Sequence, residues 1–157
     1  MAAVALLVLP SSVAAQEGPP PNYVTVLAST TVAYHPHEGS WDGYQHDLTL
    51  SVGYGRYFTK TLAFELDLGP TWIRGDYASF SLMPGFVWAF DPHVYLAARF
   101  IVPVDPEWNF AVAPGIGLTH VFSNGVAPYL EANAISYVGR GDPDLGIGIT
   151  FGISFAF

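Results

Sequence analysis

The sequence predicts an all-β protein: an eight-stranded antiparallel up-and-down transmembrane β-barrel behind a cleavable N-terminal signal segment. Three observations predict it. Only 11% of the 157 residues are charged and 15% are aromatic, with a mean hydropathy of +0.34, whereas soluble domains carry roughly 25% charge. Outside the N-terminus no apolar run approaches the ~20 residues of a membrane helix. The segment LGIGITFGISFAF (145–157) alternates almost without fault. Leu145, Ile147, Ile149, Phe151, Ile153, Phe155 and Phe157 share one parity, against Gly146, Gly148, Thr150, Gly152, Ser154 and Ala156 on the other. Period two means a strand, and a bulky apolar face backed by a small one suits lipid outside and a barrel interior within. In a bilayer every backbone group must be paired inside the protein, so a hydrophobic chain without hydrophobic helices is left with a closed barrel.

The N-terminus reads as an export signal. Ala2 to Leu9 is unbroken apolar sequence, followed by Pro10-Ser11-Ser12 and Val13-Ala14-Ala15. Small residues at 13 and 15 place cleavage after Ala15. No Lys or Arg precedes the apolar core, which is read as a start assigned too far downstream. The expected division is therefore 1–15 signal segment, 16–22 (QEGPPPN) periplasmic leader and 23–157 barrel. A formal charge of −8 with five Lys and Arg argues against nucleic acid as a partner. The absence of Cys removes disulfides, thiolate chemistry and Cys-based zinc sites.

Eight strand-like segments follow, each bounded by turn residues. Tyr23–Tyr34 is the least regular: Val24, Val26, Ala28, Thr30, Val32 and Tyr34 form its apolar parity, with Leu27 on the other face. Asp47–Phe58 sets Leu48, Leu50, Val52, Tyr54 and Phe58 against Thr49, Ser51, Gly53, Gly55 and Tyr57. Leu62–Trp72 sets Leu62, Phe64, Leu66, Leu68 and Trp72 against Ala63, Glu65, Asp67, Gly69 and Thr71. Tyr77–Phe90 carries Ala78, Phe80, Leu82, Pro84, Phe86, Trp88 and Phe90 outward. Val94–Val104, Phe110–Val121, Val126–Val138 and Leu145–Phe157 complete the set. Pro70, Pro84, Pro103, Pro114 and Pro128 fall inside strands, where each implies a bulge or a missing ladder bond. The pairs Pro84-Gly85 and Pro114-Gly115 read as bends.

With the N-terminus periplasmic, the short connections at 59–61, 91–93 and 122–125 fall on the periplasmic side. The longer or more polar ones at 35–46, 73–76, 105–108 and 139–143 fall outside, as in outer-membrane barrels. Two aromatic belts are expected at headgroup level. One is Phe58, Trp88, Phe90, Phe122, Phe155 and Phe157. The other is Tyr34, Tyr44, Trp72, Tyr77, Trp108, Phe110 and Tyr137.

Candidate site residues lie on the inner parities. Arg99 is the one cation there, with Glu65, Asp67, Glu131 and Asn133 available around it. Unpaired charges in a narrow barrel cost several kcal/mol, so an ion cluster plugging the lumen is the expected arrangement, with a gate or proton path as the sharper alternative. An eight-stranded barrel is filled by its own side chains or holds one small ligand, which argues against a general pore. The segment HPHEGSWDGYQHD holds His35, His37, His46, Glu38, Asp42 and Asp47. These are divalent-metal ligand types, but no tight spacing organises them, and neither a metal nor a cofactor is assigned.

The secretion signal, alternating strands, banded aromatics and terminal Phe157 resemble small outer-membrane barrels of the OmpA/OmpX and opacity type, over residues 23–157 and at the level of pattern. That resemblance implies integral placement in the outer membrane, surrounding lipid and lipopolysaccharide, a monomeric state, and an assembly signal in Phe151, Phe155 and Phe157 for the barrel-assembly machinery. His120-Val121-Phe122-Ser123-Asn124 resembles the His-x-Ser-Asn motif of the lipid A 3-O-deacylases, with one extra residue. Alternation then puts His120 and Ser123 on opposite faces, at the periplasmic end, and Asn124-Gly125 reads as a hairpin turn. The expected function is a non-enzymatic envelope or surface barrel without catalytic residues. The alternatives are a lipid A deacylase-type hydrolase and a soluble lipocalin-like barrel with its apolar parity inside.

Overall fold

The computed structural model describes residues 22–35, 46–104, 110–138 and 145–157. The expected signal segment lies outside them, as does the leader except for Asn22. The strands are β1 (Asn22–His35), β2 (Asp47–Tyr57), β3 (Leu62–Ile73), β4 (Asp76–Ala89), β5 (Val94–Pro103), β6 (Phe110–Thr119), β7 (Val126–Val138) and β8 (Leu145–Ala156). Each pairs antiparallel with the next, and β1 with β8, in one closed barrel. Strand ends differ from the alternation-based bounds by at most two residues, and Phe58, Phe90 and Phe157 keep the apolar parity while belonging to turns or the terminus.

The closing seam uses the least regular strand. Register runs from Tyr23↔Ala156 through Val26↔Ile153 to His35↔Leu145. Leu27, out of place as a lipid-facing residue, is buried in the lumen with Tyr23, Ala63, Val87, Tyr95, Ala97 and Tyr129. A barrel this narrow has to be filled by side chains, so an inward leucine is an asset there. The apolar parity points outward throughout: Val26, Val52, Leu66, Phe86, Leu96, Ile116, Leu130 and Phe151 are all exposed. A lipocalin-like arrangement, with these residues inside, is not the one built.

Two β-bulges correct the parity. One lies between Thr31 and Ala33 on the β1–β8 seam. Beyond it, Tyr34 pairs with the lumen-facing Gly146 and its ring meets Tyr137 at 6.5 Å. The other separates Thr71↔Ser79 from Trp72↔Tyr77, so Tyr77 turns outward and Ala78 lines the lumen. The second aromatic belt therefore loses Tyr34 to the interior, and Tyr137 faces inward by the ordinary alternation of β7, while Tyr44 and Trp108 lie outside the described residues. At the opposite end Phe58, Trp88, Phe90, Phe122 and Phe157 are all exposed.

The prolines produce gaps rather than bulges. Register continues unshifted past Pro70, Pro84 and Pro114, but the rungs Leu50/Pro70, Pro84/Phe100 and Pro114/Ala134 are missing from the β2–β3, β4–β5 and β6–β7 seams. On their other sides the same prolines keep the pairs Pro70↔Phe80, Leu66↔Pro84 and Ala98↔Pro114. An antiparallel residue directs its N–H and C=O at the same neighbour, so a missing N–H weakens one seam only.

The connection lengths alternate less cleanly than expected. The β3–β4 connection is the tight pair Arg74-Gly75, both at positive φ (54° and 93°), and is shorter than the segments 58–61 and 90–93 at the other end.

Candidate functional site

Several large inward side chains of the odd strands, Arg99, Tyr23, Tyr95 and Tyr129 among them, lie over glycines of the even strands that make room for them. A Cβ on Gly85 in β4 would lie 2.7 Å from Arg99 Cγ and from the Ala98 carbonyl oxygen. Gly85 is thus the slot for Arg99 in β5, its register partner, and not a bend. Gly115 likewise lies under Asn133 and Glu131, and Gly53 under Asp67 and Thr25. Tyr23, Tyr95 and Tyr129 lie across Gly55, Gly117 and Gly152. The closing strand therefore makes room for Tyr129, while the room for Arg99 comes from β4.

Arg99 of β5 sits in the middle of the lumen with its guanidinium bonded to carboxylates of two other strands, β3 and β7. Its Nε donates to Glu65 Oε1 at 3.2 Å and to Asp67 Oδ2 at 3.3 Å. Nη2 donates to Glu65 Oε1 at 2.7 Å, and Nη1 donates to Glu131 Oε1. Glu65 and Asp67 are two apart on β3 and so share a face. Asp67 Oδ1 also accepts from Thr25 Oγ1 at 3.1 Å. All four charged groups are buried. Asn133 takes no part in the guanidinium's bonds: its Nδ2 donates to Thr150 Oγ1 in β8 at 3.1 Å. Charge-assisted bonds of this kind are the strong ones, and the fork of a guanidinium is suited to serving several carboxylates at once.

The cluster divides the lumen. On the side of the 58–61, 90–93 and 120–125 connections lies a cavity of about 400 Å³ walled by Tyr23, Tyr57, Tyr95 and Tyr129, with Glu65 and Arg99 at its floor. On the other side a cavity of about 210 Å³ is lined by hydroxyl side chains, among them Ser29, Thr31, Thr49, Thr71 and Ser81, together with apolar ones such as Met83, Ile101 and Ile135. Arg99 borders both.

Other candidates have different surroundings. Of the histidine-rich segment, His37, Glu38 and Asp42 lie outside the described residues. Asp47 binds the β1 bulge: its carboxylate accepts from Thr31 N at 2.6 Å, Thr31 Oγ1 at 2.7 Å and Thr30 Oγ1 at 3.1 Å. His120 stacks on His93, with centroids 5.7 Å apart and planes at 9°, and meets the Phe122 ring edge-on at 4.8 Å. Asn124 Oδ1 accepts from Val126 N at 3.2 Å, and Gly125 follows with φ of 80°. These contacts hold a turn. In β8, Phe151 is exposed between Ala28 and Leu130, Phe155 pairs with Val24 and Val126, and Phe157 donates its N–H to Asn22 O at 3.0 Å.

Fold and lumen together define a small closed antiparallel barrel with an apolar outer wall and a buried charge cluster. Two solved structures share this fold. One comes from the de novo design of transmembrane β-barrels: TM-score 0.54 at 13% identity, covering 91% of this chain and all of that one. The other is the solution NMR structure of the de novo designed TMB2.3: TM-score 0.50 at 16% identity, covering 91% of this chain and 98% of that one. No family model and no curated protein matches the chain.

Proposed function

We propose that this chain is an integral, monomeric barrel of the bacterial outer membrane, of the OmpA/OmpX and opacity type. In this reading it is a non-enzymatic envelope or surface component whose lumen is closed by the Arg99 cluster. The observation that carries it is the inverted side-chain distribution: Val52, Phe86, Phe100, Ile116 and Phe151 lie exposed on the outer wall while Glu65, Asp67, Arg99 and Glu131 are buried. In water such a wall would be an apolar patch far larger than monomers tolerate; in lipid it is the ordinary surface of a barrel. The shared fold with barrels designed to cross membranes supports the same reading. Phe151, Phe155 and Phe157 then serve the barrel-assembly machinery, and lipopolysaccharide surrounds the outer rim.

Fractionation of Gram-negative cells expressing the chain tests the location. Recovery with the outer membrane, extraction only by detergent and heat-modifiable gel mobility are expected; release into detergent-free buffer overturns it. Incubating the purified barrel with lipopolysaccharide tests the chemistry. Unchanged acylation is expected, and acyl loss that disappears in His120→Ala overturns the non-enzymatic part.

A further inference from the structure

Strands β1 to β8 contain two cations, and they face opposite ways. Arg99 is inward and paired. Arg56 in β2 continues the outward parity of Leu48, Leu50, Val52 and Tyr54 and is exposed. Among the described residues no carboxylate pairs with it. Asp76, an exposed strand carboxylate, lies at the opposite end of the barrel. Asp91, in the 90–93 connection, accepts from His93 N at 2.9 Å and lines the lumen. A guanidinium does not shed its proton, so on a lipid-facing wall it has to meet water or an anion. Such a residue is costly at the bilayer midplane and tolerated near an interface, and Arg56 is near one. It lies one outward position from Phe58, at the end marked by exposed Phe58, Trp88 and Phe90.

The surroundings of Arg56 are organised to donate. Its register partners are Asn22 at the start of β1 and Phe64 of β3. The Tyr54 hydroxyl, from the preceding outward residue of β2, donates to Asn22 Oδ1 at 2.6 Å. That bond uses the Asn22 oxygen, so what the amide offers beside Arg56 is its Nδ2 N–H groups. Guanidinium and amide donors thus stand on adjacent strands without a protein acceptor among the described residues. Lys60 in the 58–61 connection adds a positive charge at the same end. Phe64 and Phe86, with ring centroids 5.6 Å apart, supply apolar wall beside the donors for an acyl chain. A guanidinium fork matches a pair of phosphate oxygens. We infer that Arg56 and Asn22 bind the phosphate of a phospholipid headgroup in the leaflet at the 58–61 end, with a preference for net-anionic headgroups. The inference rests on the membrane reading above: a barrel released into detergent-free buffer loses both, whereas a membrane barrel without the lipid preference loses this one alone.

The test is an NMR titration of the barrel refolded in dodecyl maltoside, a detergent without phosphate. Short-chain phosphatidylglycerol, short-chain phosphatidylcholine and inorganic phosphate are added separately at matched ionic strength, while the Arg56 Nε–H and Asn22 Nδ2 resonances are followed. Saturable shifts with phosphatidylglycerol are expected, at a mole fraction about fivefold lower than with phosphatidylcholine, the factor one basic side chain gives near an anionic surface. Inorganic phosphate should leave both resonances in place. Arg56→Gln, at an exposed position, should refold and abolish the preference, read at Asn22. Arg56→Lys keeps the charge without the fork and should retain part of it, and Lys60→Gln should retain most. Equal saturation by the two lipids, shifts reproduced by inorganic phosphate, or a preference lowered as far by Lys60→Gln as by Arg56→Gln overturns the inference.

Discussion

The two halves of the lumen, divided at Arg99, are filled by different means. In the tyrosine half, rings from odd strands lie over glycines of even strands in direct register pairs: Tyr23↔Gly55, Tyr95↔Gly117 and Tyr129↔Gly152. The backbone there is regular. In the hydroxyl half short Ser and Thr side chains line the lumen beside Met83, Ile101 and Tyr137, both bulges occur, and hydrogen bonds supplement shape. Asp47 holds the Thr31 amide and hydroxyl, and Thr49 and Thr71 share a bond of 2.8 Å across β2 and β3. Rings that interlock with glycines fix the register by steric fit. Short hydroxyl side chains do not interlock, so the strand is free to bulge there, and a carboxylate from the next strand selects the bulged form. Space and specificity are thus supplied by packing on one side and by polar bonds on the other.

The largest expected effect removes the partition itself. Arg99→Ala leaves three buried carboxylates facing one another and should cost about 3–5 kcal/mol, read as a lower urea midpoint for unfolding from detergent or vesicles. Replacing all four charges together (Arg99→Met, Glu65→Gln, Asp67→Asn, Glu131→Gln) should recover most of that loss. A quadruple variant as unstable as Arg99→Ala would show that the cluster acts through shape and not charge.

A smaller effect separates steric filling from mere smallness. Gly152→Ala drives a methyl into the Tyr129 ring, whereas a Cβ at Gly146 in the same strand meets nothing nearer than Thr31 Cγ2 at 3.5 Å. The first should cost about 1–3 kcal/mol and the second well under 1, and Tyr129→Ala should recover part of the first as a measurable coupling in a double-mutant cycle. Equal costs at 146 and 152 would break the distinction between the halves.

The smallest effect belongs to the hydroxyl half. Asp47→Ala deprives the Thr31 amide and hydroxyl of their acceptor and should cost about 1–2 kcal/mol, since the site is only partly buried. Hydrogen exchange at the Thr31 amide should quicken while that of Thr25, on the other side of the bulge, stays unchanged. Uniform acceleration along β1 would mean that the bulge is held by the seam as a whole.

The legible part of this molecule is its parity. Glu65, Asp67, Arg99 and Glu131 are recognisable as inward because each lies opposite its strand's apolar face, and that relation is contained in a few consecutive residues. Tyr34 and Ala78 are not legible in this way. Their faces are set by bulges, and the first of these is held by a carboxylate sixteen positions away from Thr31. Gly85 misleads for a related reason: after Pro84 it carries the local signature of a turn, and only its neighbour across the seam, Arg99, shows that it is a slot. Asn133 shares the inward parity of Glu131, but the register with β8 gives it to Thr150. The even-strand glycines on inner parities were the available signal for large side chains opposite, though not for which ones.

What the sequence by itself determined is the two-sidedness of each strand, and hence an apolar wall around a polar interior, because side-chain alternation is a local consequence of extended backbone. What only the tertiary structure decided is which inward groups meet. Arg99 and Glu65 are thirty-four positions apart and become partners only when closure and register set eight strands at fixed heights around one axis. The steric slots, the two bulges and the tyrosine-walled cavity follow from that same closure, since each depends on a neighbour that lies across a seam and far along the chain.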